Sequence, residues 1–159
     1  MEPKFNQFKE EILKRAKHAD ACKPEYSRAY KSETFAELIQ VIKDNFNFAV
    51  SGKVIEPTII EAYKDEFNSN DVWCNVDCYS GFLLCDNATV KAYDNATVKA
   101  YDNATVKAYG NATVEAYGNA YISSYYVIEC KLSDNAIYRI RETNTICYAS
   151  DTIKFEKSV

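Results

Sequence analysis

The chain reads as an α+β protein in which an N-terminal three-helix unit caps a C-terminal parallel β-solenoid built from eight-residue repeats. Three observations predict this. Residues 86–125 are five consecutive copies of one octad: DNATVKAY three times, then GNATVEAY and GNAYISSY. Within a copy, apolar and polar residues alternate. Upstream of the repeats, apolar residues recur at helical spacing instead, and the composition changes near residue 70, which predicts a helical domain over 1–69 and a solenoid over 70–159.

A faithful short period is the mark of a repeat architecture, in which each unit buries its apolar residues only against its neighbours. In the first octad Ala88, Val90 and Ala92 alternate with Thr89, Lys91 and Tyr93. Period two over five residues is a half-buried strand. Helix is disfavoured by the recurring Asp-Asn or Gly-Asn and by the β-branched Thr-Val pair. The same Asp-Asn and Gly-Asn pairs suit corners, because they tolerate left-handed backbone. An antiparallel meander with two-residue turns would mix Ala-Val-Ala with Thr-Lys-Tyr on both faces. A parallel solenoid keeps every Ala-Val-Ala inside. Three-residue loops with Asn95 left-handed would also restore the faces, so such a meander stands as the alternative. The small inward residues suit a narrow coil of two octads, sixteen residues, with three octads as the other option.

In the N-terminal part, Phe5, Phe8, Ile12, Ala16 and Ala19 lie on one helical stripe, with Lys14, Arg15, Lys17 and His18 where cations favour the helix dipole. Tyr26 to Tyr30 reads as a connector. Thr34-Phe-Ala-Glu37 is a capping box, opening a helix that buries Phe35, Leu38, Ile39 and Ile42 and ends near Asn45 and Asn47. Residues 48–55 read as a loop or short strand. Pro57 opens a third helix, with Ile59, Ile60, Tyr63 and Phe67 on its apolar side.

From Asp71 onward Val72, Cys74 and Val76 alternate, then Phe82 and Leu84, as irregular first solenoid strands. Past Tyr125 the eight-residue phase persists: Asp134-Asn135-Ala136 begins a unit and Ile146 falls at a Val position. Ile128, Ile137, Ile140, Tyr148, Ile153 and Phe155 replace the smaller residues, so this segment either plugs the open end or forms a dimer contact.

Chemistry is sparse. The six cysteines (Cys22, Cys74, Cys78, Cys85, Cys130, Cys147) lack a paired C-x2-C knuckle, and Cys130 sits on an inward phase, so they read as buried thiols rather than metal ligands. There is one histidine, and no phosphate loop or nucleophile elbow. Neither an enzyme nor a bound cofactor or metal is expected. The charged start MEPKFNQFKEE and the lack of a long apolar run predict a cytoplasmic protein without a membrane span.

What the outer faces display is more informative. Tyr93, Tyr101, Tyr109, Tyr117 and Tyr125 recur beside Lys91, Lys99, Lys107 and Glu115. Tyrosine is favoured at binding surfaces; the same column also reads as a stacking ladder that only stabilises the coil. Residues 1–31 hold eight Lys and Arg against five acids, while the whole chain is net −4, too acidic for a general nucleic-acid binder. Lys14, Arg15 and Lys17 on the first helix are candidate contacts to RNA or an acidic protein, set against an ordinary solvated helix face.

The run DNATVKAYDNATVKAYGNATVEAYGNAYI resembles octapeptide-repeat segments of uncharacterised proteins from bacterial phages and mobile elements. The resemblance covers about 40 residues and implies no catalytic residues. It implies a setting in which small proteins block host defence by occupying a nucleic-acid-processing complex, as anti-CRISPR proteins do. The function expected is therefore a non-catalytic protein-binding module that inhibits a host nucleic-acid-targeting complex. Direct binding of RNA or single-stranded DNA, and a structural solenoid that assembles with a second copy as a homodimer, are the alternatives.

Overall fold

The computed structural model describes residues 3–149. Two compact units divide between Val72 and Trp73.

Among the described residues the first unit contains six helices: α1 (Pro3–His18), α2 (Lys23–Lys31), α3 (Phe35–Asp44), α4 (Phe46–Ser51), α5 (Pro57–Ala62) and α6 (Lys64–Asn68). Three of these correct the sequence reading. The Tyr26–Tyr30 connector is part of α2, which starts at Lys23-Pro24 with proline in its first turn. Residues 46–51 are helical, not loop or strand. The third expected helix is interrupted at Tyr63, whose backbone leaves the helical region (φ −124°, ψ 38°) while its ring packs 4.7 Å from that of Phe8. Phe5, Phe8, Phe35, Tyr63 and Phe67 form the aromatic centre of this unit. Thr34 caps α3 as its sequence requires, accepting the Glu37 N–H at 3.2 Å while the Glu37 carboxylate accepts the Glu33 N–H at 2.7 Å.

The second unit is a parallel β-solenoid. Its strands are β1 (Val72–Cys74), β2 (Phe82–Asp86), β3 (Thr89–Ala92), β4 (Thr97–Tyr101), β5 (Thr105–Ala108), β6 (Thr113–Ala116), β7 (Tyr121–Ser124), β8 (Glu129–Leu132), β9 (Ile137–Ile140) and β10 (Thr145–Tyr148). They form sheet A, in the order β1-β2-β4-β6-β8, and sheet B, in the order β10-β9-β7-β5-β3. Alternate octads therefore go to alternate sheets. Thr89 pairs with Thr105 and Thr97 with Thr113, so a coil is sixteen residues, and neighbouring octads are not neighbouring strands. The meander alternative is excluded.

Inside run Ala96, Val98, Ala100, Ala104, Val106, Ala108, Ala112, Val114 and Ala116, each no more than 1% exposed. Short side chains let the two sheets approach closely, and burying this seam along its whole length supplies the driving force. Each corner is a tight turn: Ala96, Ala104 and Ala120 donate N–H to the carbonyls of Tyr93, Tyr101 and Tyr117 at 3.0–3.2 Å. The first corner residue carries the left-handed φ, 49° at Asp94, 52° at Asp102 and 64° at Gly110 and Gly118.

The first coil departs from this rule. Phe82 pairs with Thr97 and Asp86 with Tyr101, a separation of fifteen residues. Asp86 stays in the strand, bonded to Asn75 by its backbone and side chain, and Asn87 takes the positive φ of 44°. One residue is lost, so the core phase in β2 falls on Leu83 and Cys85 rather than on the alternation of Phe82 and Leu84. At the other end the chain reverses after Ile140, and β10 lies antiparallel on β9. Ile146 thereby pairs with Arg139 on the outer face, 44% exposed, instead of filling the inward Val position. Ala136, Tyr138 and Ile140 fill the last coil, with Ile128 half-buried against it. Ile153 and Phe155 lie outside the described residues.

Candidate binding face

Because octads alternate between sheets, the candidate tyrosines and lysines separate into two faces with different chemistry. On sheet A the outer row runs Leu84, Lys99, Glu115, Lys131. Lys99 is 2% exposed and forms an ion pair with Glu115, its ammonium also lying 5.9 Å from the centre of the Tyr117 ring. The other Glu115 oxygen lies 3.7 Å from Lys131 Nζ, and the Tyr117 hydroxyl donates to Glu115 at 2.8 Å. Burial pushes the Glu115 carboxyl up, but the bonds from Lys99 and Tyr117 outweigh it and hold the group below its usual range. Tyr101 stacks on Tyr117 at 4.8 Å, and burial beside Glu115 pushes its hydroxyl up to about 12. On this face one carboxylate separates the two lysines and pairs with both.

On sheet B the outer row runs Asp77, Lys91, Lys107, Ser123, Arg139, and the Asp77 carboxylate accepts the Lys91 backbone N–H at 2.8 Å. Lys91 and Lys107 are exposed and adjacent, about 4.8 Å apart at the backbone. No carboxylate among the described residues forms an ion pair with either. Beside them Tyr79, Tyr93 and Tyr109 stack face to face with centres 4.8 and 4.9 Å apart. Tyr125 follows in the next coil, 51% exposed, with the Arg141 guanidinium 5.9 Å from its ring centre. The ladder reading of the tyrosines is realised here: Tyr79, Tyr93 and Tyr109 stack on one another on the face that carries Lys91 and Lys107.

Sequence reasoning did not single out Tyr79 and Arg139. Tyr79 precedes the repeats and joins the stack only because the first coil is short. Arg139 joins because the phase of eight survives past Tyr125.

On the helical unit, Arg15 is committed to structure: it donates to Glu11 and Glu56 at 2.6 Å and to the Lys53 carbonyl at 3.2 Å. Lys14 and Lys17 are exposed. No disulfide joins the six cysteines, and burial pushes the thiols of Cys85 and Cys130 up to about 12, far from nucleophilic. Among the described residues no three His, Cys, Asp or Glu side chains gather where they could hold a metal ion. Likewise, no helix there is long and apolar enough to cross a membrane.

These features define a β-solenoid with one cationic, tyrosine-lined face. No protein-family model matches the chain, and neither a curated protein nor a solved structure does.

Proposed function

We propose that the chain is a non-catalytic binding protein that engages a protein partner through the outer face of sheet B. The carrying observation is the juxtaposition of Lys91 and Lys107. Like charges directly opposed on neighbouring strands destabilise a sheet, and sheet A avoids this by placing Glu115 between Lys99 and Lys131. Sheet B keeps the repulsion, which an acidic surface on a partner would relieve. Departures from local consistency of this kind concentrate at functional sites.

The ring geometry favours a protein over a single-stranded nucleic acid. Nucleic-acid platforms present open aromatic faces on which bases stack. Here Tyr93 has one face covered by Tyr79 and the other by Tyr109, leaving edges and hydroxyls to hydrogen-bond with peptide groups and carboxylates. The resemblance of the repeats to phage and mobile-element proteins supports a component of a host nucleic-acid-targeting defence complex as the partner, with inhibition by occupancy as the outcome.

The test is affinity capture from the native host with wild type, with Lys91→Glu/Lys107→Glu and with Lys14→Glu/Lys17→Glu. Loss of a specific partner in the first variant alone supports the reading. Equal capture by wild type and the sheet B variant would remove this face from it. A gel shift with single-stranded RNA and DNA that is strong at physiological salt and abolished by the sheet B variant would transfer the face to nucleic acid.

A further inference from the structure

The helical unit is packed unevenly along α1. Near its start Phe5 and Phe8 meet Phe35, Tyr63 and Phe67, whereas around its end the chain supplies short side chains, Ala16 on α1, Ala29 on α2 and Ala49 on α4, all buried. These alanines, with Leu38 and Ile42, form the floor of a cleft of about 370 Å³. Close-packed interiors do not leave such a space by default, since a cavity of about 150 Å³ already admits benzene. Phe48 stands at the mouth, 37% exposed, while α4 buries its neighbours Phe46 and Ala49.

The polar side chains that line this cleft offer acceptors. Both Asn45 Nδ2 protons are spent, on Glu25 Oε2 at 2.8 Å and on the Val41 carbonyl at 2.9 Å, so the atom left over is the carbonyl oxygen Oδ1. Glu25 Oε2 also accepts from Arg28 at 2.7 Å, which leaves Oε1 without a bond from the described residues. The Asp20 carboxylate has no ion-pair partner among them. Of the lining side chains, the Tyr26 hydroxyl and the weak Cys22 thiol alone keep a proton to donate, and a hydroxyl accepts equally well. Neither Lys17 nor Lys23 lines the cleft. An apolar hollow with a few convergent polar groups is the form of a small-molecule site.

We propose that the cleft binds a small organic cation, an apolar body about two rings in size that carries an ammonium group. The body covers Phe48 and fills the hollow over the three alanines. The ammonium donates to the acceptors of Asn45, Glu25 and Asp20. A carboxylate in its place would set acceptor against acceptor, so an anion of the same shape is rejected. The site lies wholly within the helical unit and does not depend on the sheet B face.

The experiment uses the full chain and two probes of one shape: naphthylmethylamine, a cation at neutral pH, and naphthylacetate, an anion. Cys22 lines the cleft and is the exposed thiol, so its modification by methyl methanethiosulfonate, a neutral thiol reagent, reports occupancy when mapped by peptide mass spectrometry. The amine slows modification saturably, and the acetate is weaker by about tenfold or more. Ala29→Leu, which fills the floor, abolishes protection by the amine. Asp20→Asn, at a φ of 57° that asparagine tolerates, weakens it about threefold. Circular dichroism establishes that each variant is folded, and Asp20→Asn decides alone should Ala29→Leu not fold. No slowing by the amine up to its solubility limit overturns the proposal. So does equal protection by the acetate, or undiminished protection by the amine in either folded variant.

Discussion

Lys99 of β4 and Glu115 of β6 are register partners that form a buried ion pair, whereas the same sixteen-residue step in sheet B joins Lys91 to Lys107. Removing one partner of a buried pair leaves a charge without compensation. Glu115→Gln is expected to cost about 3 kcal/mol, while Lys131→Ala, whose side chain is 70% exposed, should cost less than about 1 kcal/mol. Urea denaturation midpoints separate the two.

Stability should fall at both ends of the pH scale, for reasons that can be assigned. Glu115 is held below its ordinary range, so its contribution is complete above the unfolded value of about 4.3 and is lost as pH falls through the lower folded value. Tyr101 is raised to about 12, so its contribution is complete below the unfolded value of about 10 and is lost as pH rises from there through the folded value. Denaturation midpoints should be flat between the carboxylate range and the unfolded thiol value of about 8.5, above which the buried Cys85 and Cys130 thiols begin to lose their contribution. Glu115→Gln shrinks the acid limb without removing it, since Asp44 and Glu66 are also held low, and Tyr101→Phe removes only its own share of the alkaline limb, to which the raised thiols of Cys85 and Cys130 also contribute.

Gly110 carries a φ of +64°, and a Cβ built there would sit 3.0 Å from Asp94 Cα on the coil below. Gly110→Ala therefore combines left-handed strain with a backbone clash and should cost about 2 kcal/mol or more. Asp94→Gly, at a φ of 49°, removes strain and should change stability by less than about 1 kcal/mol. Thermal unfolding of the pair checks the contrast.

One corner of the solenoid carries an asparagine ladder. Asn103 donates to Asn87 at 3.1 Å, Asn119 to Asn103 at 3.4 Å, and Asn135 to Asn119 at 3.2 Å. Asn103→Ala breaks two of these bonds at an exposed site and should cost about 1 kcal/mol. Asn111→Ala, at the opposite corner and outside the ladder, should cost less than about 0.5 kcal/mol. Chemical denaturation of both variants tests the assignment.

The repeating interior was legible in the sequence because the alternation of Ala and Val is strictly local and recurs without error. The irregular ends were not. A single residue retained in β2 at Asp86 shifts the phase of the first coil, and the reversal that forms β10 depends on what pairs with β9, not on Ile146 itself. In the helical unit, α2 is short, α4 follows Asn45 almost without a break, and Tyr63 trades helical backbone for ring packing, all of them tertiary effects. The division of the lysines was hidden for another reason: Lys91 and Lys99 have identical local sequence, and their fates diverge only through the residue one coil later. Adding sixteen to each position is the signal. It pairs Lys99 with Glu115 and Lys91 with Lys107.

The sixteen-residue parallel register is what places Lys91 directly beside Lys107 and a tyrosine stack on one face, and it can be measured directly. Thr89→Cys/Thr105→Cys and Thr89→Cys/Thr97→Cys are oxidised mildly, and the linked peptides are mapped by mass spectrometry. Thr89 and Thr105 are adjacent partners in sheet B, and Thr97 belongs to sheet A. Rapid bonding of 89 to 105 with none of 89 to 97 is the expected result, and preferential bonding of 89 to 97 would contradict the account.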